Sequence, residues 1–187
     1  MSMSDFFTGV ETRVGKIFSG MPDAVDFFCA VSKSGGVSVS ARLSGKALDN
    51  ILTVLAAEAA QNGIKYHLRV GVTEADDGRF VAKAVMEIGE LIIQAYGEEL
   101  AKQKVRNEKG EEVEVANPNA VRIAEKRALK RVVLRLLPAI QFHILQAQKW
   151  VSTVLKHIVE QSRTPDGRPN GRLIEYRLRE AWAKRSG

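Results

Sequence analysis

The chain has 187 residues, with 28 Lys+Arg against 22 Asp+Glu, a formal net charge of +6 and a pI near 9.5. Hydrophobic residues make up 45% and charged residues 27%, an ordinary globular composition that excludes a disordered, collagenous or low-complexity chain. No apolar run reaches the ~18 residues of a membrane-spanning helix, Met1-Ser2-Met3-Ser4-Asp5 lacks a signal-peptide pattern, and a lone cysteine, Cys29, cannot close an internal disulfide, so a reducing, cytoplasmic setting is expected.

Residues 5–30 mix Phe6, Phe7, Val10, Val14, Ile17, Phe18, Val25, Phe27 and Phe28 with Gly and Pro breaks, which suggests a partly helical segment packed as a lid. Ser34-Gly35-Gly36 signals a turn. Val37 to Leu43 then alternates with the period of a strand. Ser44-Gly45-Lys46 opens a helix in which Leu48, Ile51, Leu52, Leu55, Ala56 and Ala59 recur at helical spacing, and Asn62-Gly63 closes it.

A hairpin follows. Ile64, Tyr66, Leu68, Val70 and Val72 form the apolar face of its first strand, and Phe80, Ala82, Ala84, Met86 and Ile88 that of its second. Asp76-Asp77-Gly78 is the turn. The opposite face gathers Lys65, Arg69, Arg79 and Lys83, with Glu87 near its far end as the nearby anion. A solvated face accounts for this hairpin taken alone; a polyanion-binding face is the other reading. Residues 91–104 read as a helix with apolar Leu91, Ile92, Ala95 and Leu100, and residues 106–114 as a polar loop or hairpin turning at Lys109-Gly110.

Asn117-Pro118-Asn119 starts a long helix over 120–137, because Asn supplies a cap oxygen and Pro tolerates the first turn. Pro138 ends or kinks it. A second long helix is expected over 139–161, a loop over 164–171, and a short basic helix over 173–184 whose stripe of Ile174, Leu178, Ala181 and Trp182 must dock on something. This organisation implies one α+β domain over 1–163, followed by the loop and helix of 164–187.

The net charge is uneven along the chain. Residues 1–100 hold 9 Lys+Arg and 13 Asp+Glu, a balance of −4; residues 101–187 hold 19 and 9, a balance of +10. The basic half points to nucleic acid or another anionic surface. At 100° per residue, Lys126, Arg127, Lys130, Arg131 and Arg135 share one half of the first long helix. Ala128, Leu129, Val132, Val133 and Leu136 share the other half. Like charges at i, i+4 repel by a few tenths of a kcal/mol per pair, so an external anion should complement this face. Phosphate fits, with Arg offering bidentate forks and Lys point charges. The alternatives are a solvated basic helix and a membrane-surface helix, though the apolar arc lacks the bulky aromatics that favour interfaces.

The hairpin ending in Met86-Glu87-Ile88-Gly89-Glu90, followed by Asn117-Pro118-Asn119-Ala120-Val121-Arg122-Ile123-Ala124-Glu125-Lys126-Arg127-Ala128-Leu129-Lys130-Arg131, resembles the single-strand annealing superfamily typified by the recombination protein Rad fifty-two. Prokaryotic and phage members show a Gly-Glu after the strand and an Ala-Glu-x-Arg-Ala-x-x-Arg-type helix. The likeness covers about Val37 to Leu137. It implies a β-β-β-α core, a ring or open-ring homo-oligomer, and a groove for single-stranded DNA between basic hairpin and basic helix. The matching positions are Lys126, Arg127, Lys130, Arg131 and Arg135 on the helix and Lys65, Arg69, Arg79 and Lys83 on the hairpin. The stretch between Glu90 and Asn117 departs from the pattern and leaves the strand order open.

Catalytic signals are weak. His67, His143 and His157 are not spaced as metal ligands with Cys29 or carboxylates. Asp76-Asp77 is explained by turn chemistry. Glu87, Glu90 and Glu125 could converge for a nuclease, but their spacing does not require it. Ser44-Gly45-Lys46 lacks the full phosphate-binding loop. The expected function is therefore non-enzymatic and cofactor-free: binding single-stranded DNA and annealing complementary strands in recombination or repair, as a homo-oligomer, off the membrane, with a recombination or replication protein as a further partner. The alternative is a helical assembly protein whose basic half binds an acidic protein.

Overall fold

The computed structural model describes residues 3–107 and 110–186. In chain order the elements are α1 (Met3–Gly20), a 3-10 turn (Pro22–Ala24), β1 (Val25–Val31), β2 (Val37–Leu43), α2 (Gly45–Gln61), β3 (Tyr66–Glu74), β4 (Arg79–Ile88), β5 (Leu91–Leu100), β6 (Lys102–Arg106), β7 (Glu112–Ala116), α3 (Ala120–Leu136), α4 (Pro138–Glu160) and α5 (Gly171–Ser186). The strands form three antiparallel sheets, β1-β2, β3-β4-β5 and β6-β7. The fold is α+β, as composition and pattern led one to expect. By contacts the chain divides into two compact units, Met1–Leu55 with Leu137–Gly187, and Ala56–Leu136.

In the first unit, β1 and β2 pair from Val25↔Leu43 to Val31↔Val37. α4 packs on β2 and α5 on β1. The core joins Val25, Phe27 and Ala41 to Ala147, Val151, Ile158, Ile174 and Leu178, so the apolar stripe of the last helix docks here. Trp150 and Trp182 lie 5.1 Å apart by ring centroids and both approach Phe27; they are packing residues. Side chains cap the backbone of this two-stranded sheet. The Cys29 N–H donates to Glu175 at 2.8 Å. Gln148 accepts from the Ala41 N–H at 2.7 Å and donates to the Val39 carbonyl at 3.1 Å. Both serve backbone groups that a third strand would otherwise take. α1 buries Phe6, Val10 and Val14, four residues apart on one stripe.

The second unit is a three-stranded meander on a helix. Gly78 and Gly89, at φ +73° and +58°, turn β3 into β4 and β4 into β5. The second turn is the two-residue Gly89-Glu90 between the pair Ile88↔Leu91, and glycine at its first position is what such hairpin turns favour. Ala82, Ala84, Met86 and Ile88 of β4 are buried, with Ala95 of β5, and α3 packs on β4 and β5. From α3 the buried side chains are Ala120, Ala124, Ala128, Val132, Val133 and Leu136, nearly the arc read from the sequence.

Residues 91–104 are not the expected helix. They form β5 and most of β6. The buried positions alternate through Ala95 and Gly97, while Leu91, Ile92 and Leu100, which suggested a helical stripe, are exposed. The inward residues are small because α3 lies close, so the apolar period of the strand is faint. The β6-β7 hairpin takes up the rest of the stretch, with Gly110 at φ +79° in its turn; Lys109 lies outside the described residues. Strand order is thus β3-β4-β5 followed by α3, a β-β-β-α succession with one hairpin inserted.

Candidate nucleic-acid interface

The sheet face turned away from α3 carries the hairpin cations. Register places Arg69 beside Val85 and Gln94, Gly71 beside Lys83 and Tyr96, and Thr73 beside Val81 and Glu98. The expectation of cations with little nearby acid is corrected here. Glu87 forms ion pairs with Arg69 and, at 3.6 Å, with Lys65. Arg79 pairs with Asp77 at 2.6 Å and with Glu98 at 2.6 Å. The Arg69 hydrogen bond holds the Glu87 carboxyl below its usual range, and the Arg79 hydrogen bond does the same for Asp77. Glu98 reaches this face from β5, whose strand pairing the apolar pattern of residues 91–104 does not reveal. Lys83 sits over the Tyr96 ring, 5.8 Å from its centroid.

The five helix cations split in two. Lys126 and Lys130 are half-buried, whereas Arg127, Arg131 and Arg135 are exposed. These three arginines reach to β5, the last strand of the sheet. Arg127 donates to the Glu98 carbonyl, Arg131 to the Tyr96 carbonyl at 2.5 Å, and Arg135 to the Gln94 carbonyl at 2.5 Å. The geometry is a pitch match. Four helical residues rise about 6 Å and two strand residues about 6.8 Å, so a helix running antiparallel to β5 meets every second carbonyl with every fourth residue. The ladder also shields a strand edge that would otherwise offer free carbonyls to another chain.

A carbonyl is neutral, so it holds a guanidinium without cancelling its charge. Arg127 has a carboxylate as well, Glu99 at 2.8 Å. For Arg131 and Arg135 no carboxylate lies within ion-pair distance among the described residues. Charge counted by unit makes this local pattern matter. Ala56–Leu136 holds 14 Lys+Arg and 13 Asp+Glu, a balance of +1, and the remainder of the chain holds 14 and 9. The strongly basic second half of the sequence is therefore not a basic folding unit, and Arg131 and Arg135 are distinguished by being held in place with their charge uncancelled.

The carboxylates considered for a nuclease do not converge. Glu87 is tied to Arg69 on the face away from α3, Glu90 stands in the β4-β5 turn, and Glu125 is on α3 itself. Among the described residues no three His, Cys, Asp or Glu side chains cluster so as to hold a metal ion, and no helix is long and apolar enough to cross a membrane. No protein-family model, curated protein or solved structure matches the chain.

Proposed function

We propose that the protein binds single-stranded DNA along the α3–β5 border and promotes annealing of complementary strands, working as a homo-oligomer and without catalysing a reaction. The observation that carries this reading is the row of Arg131 and Arg135, fixed by neutral carbonyls at 2.5 Å and keeping their charge. Fixed guanidiniums are suited to phosphates, because their rotamer freedom is already spent and their remaining N–H groups form charge-assisted bonds. The β3-β4-β5-α3 succession supports the resemblance to single-strand annealing proteins. The oligomer part of the reading rests on exposed apolar side chains: Phe142 and Leu145 on α4, 60% and 56% exposed, and Val105, Val113 and Val115 on one face of the β6-β7 hairpin.

Fluorescence anisotropy with a labelled oligonucleotide, at several salt concentrations, tests it. The expected result is binding at low salt that weakens with a logarithmic slope of about −0.7 per neutralised phosphate. Replacing Arg131 and Arg135 together by Gln should weaken binding and flatten the slope by about 1.4. No binding to single strands at low salt overturns the proposal.

A further inference from the structure

We infer that the outer face of β5 is a stacking surface for nucleobases, centred on Tyr96. The inference rests on the single-strand reading above and adds to it where the bases lie.

Tyr96 belongs to two surfaces at once. Its carbonyl receives Arg131 at the sheet edge, while its ring stands on the face turned away from α3, in one row with Lys83 and Gly71. The ring is a flat surface that is 45% exposed, and the Lys83 ammonium lies over it at 5.8 Å from the centroid, so a base that stacks there takes the ammonium's place. Gly71 has no side chain, and nothing lies within 4 Å of where its Cβ would be, so this row of the sheet stays low beyond Lys83. Along the same strand face stands Ile92, 67% exposed, beside Gln94, whose carbonyl receives Arg135.

The occupant this surface fits carries anionic charge along one rim and flat faces along the other. The two arginines without carboxylates run beside Tyr96 and Gln94. The other end of β5 is acidic, with Glu98 on Arg79 and Glu99 on Arg127. A single strand laid with phosphates on Arg131 and Arg135 turns its bases over the β5 edge onto Tyr96 and Ile92. Aromatic side chains on an open sheet face take bases in this way, independent of sequence, because every base has a π-face. A paired duplex keeps its base faces stacked inside and gains nothing there.

The test compares a normal labelled oligonucleotide with an abasic one of equal length, against wild type, Tyr96→Ala, Tyr96→Phe and the Arg131→Gln/Arg135→Gln pair. Wild type should bind the base-bearing strand more tightly than the abasic one. Tyr96→Ala should lose about 5- to 150-fold for the base-bearing strand, leave abasic binding unchanged, and keep the salt slope, since no phosphate contact goes. Tyr96→Phe should restore the preference. The arginine pair should weaken both strands alike. If Tyr96→Ala binds both strands as wild type does while the arginine pair still weakens them, the stacking surface is overturned and the single-strand reading stands. If Tyr96→Ala instead lowers the oligomer mass by light scattering, the face is a protein contact and the inference is overturned. If wild type binds neither strand, the single-strand reading falls and takes this one with it.

Discussion

Gly97 of β5 faces Ala124 of α3 so closely that a Cβ on the glycine would stand 2.1 Å from the Ala124 carbonyl oxygen, and 2.5 Å from the Ala128 nitrogen. Both obstacles are backbone and cannot swing aside. Gly97→Ala must push helix and strand apart, and should cost about 3 kcal/mol or more. It should also loosen the arginine ladder, whose reach depends on that spacing. Gly71→Ala on the same sheet meets nothing within 4 Å and should be neutral or stabilising by up to about 1 kcal/mol. Urea unfolding midpoints of the two variants check the contrast.

The same closeness explains what the sequence conceals. Strand β2, helix α2 and the β3-β4 hairpin are legible because their buried residues are large and periodic: Val37 to Leu43, Leu48 to Ala59, and Leu68 against Met86. β5 is not legible, because its inward residues nearest α3 are the small Ala95 and Gly97, while Ile92, Tyr96 and Leu100 face outward and break the apolar alternation that Leu91 and Ile93 begin. The helix wheel placed Arg127, Arg131 and Arg135 on one exposed side of α3. The wheel carries no sign that β5 carbonyls hold them, nor that Glu98 pairs Arg79, because both facts depend on a strand whose apolar pattern in the sequence is helical.

Glu87 neutralises two of the cations of the outer face. It pairs with Lys65 and Arg69, so Glu87→Gln should free both cations and strengthen single-strand binding, steepening the salt slope by up to about 1.4. Both cations are exposed while the Glu87 side chain is 17% exposed, so the melting temperature should fall only slightly. The Arg69 hydrogen bond keeps the carboxyl ionised below its usual range, and mild acid near pH 5 should therefore not reproduce the effect. Anisotropy titrations of the two proteins at pH 5 and pH 7 measure it.

His143 should give the first unit a pH-dependent stability. Its ring stacks on Phe18 at 4.5 Å and 5°, and burial lowers its pKa from the ordinary value of 6.5. Below about pH 6.5 the unfolded chain takes up a proton more readily than the folded one. Stability should accordingly fall as pH drops from 6.5 towards the lowered value, and level off beneath it. His143→Phe keeps a flat ring against Phe18 and should remove this part of the slope. Melting temperatures from pH 5 to 7.5 for both proteins decide the point.

Gln148 occupies the place of a missing strand beside β2, accepting from Ala41 at 2.7 Å and donating to Val39 at 3.1 Å. Gln148→Ala leaves an amide and a carbonyl without these partners and should cost about 1–3 kcal/mol. Gln148→Glu is the more telling change. Its carboxylate can still accept from Ala41, but once ionised it turns a second acceptor towards the Val39 carbonyl. Only the protonated acid can donate there, so the folded state should raise the pKa of the new carboxyl above its usual value of about 4.3. The folded chain then binds more protons than the unfolded one above that value, and stability declines as pH rises through it. The deficit of Gln148→Glu against wild type should widen between about pH 4 and pH 6, whereas that of Gln148→Ala should stay level. A deficit that is flat for both variants would mean that the side-chain amide contributes packing alone and not the two hydrogen bonds.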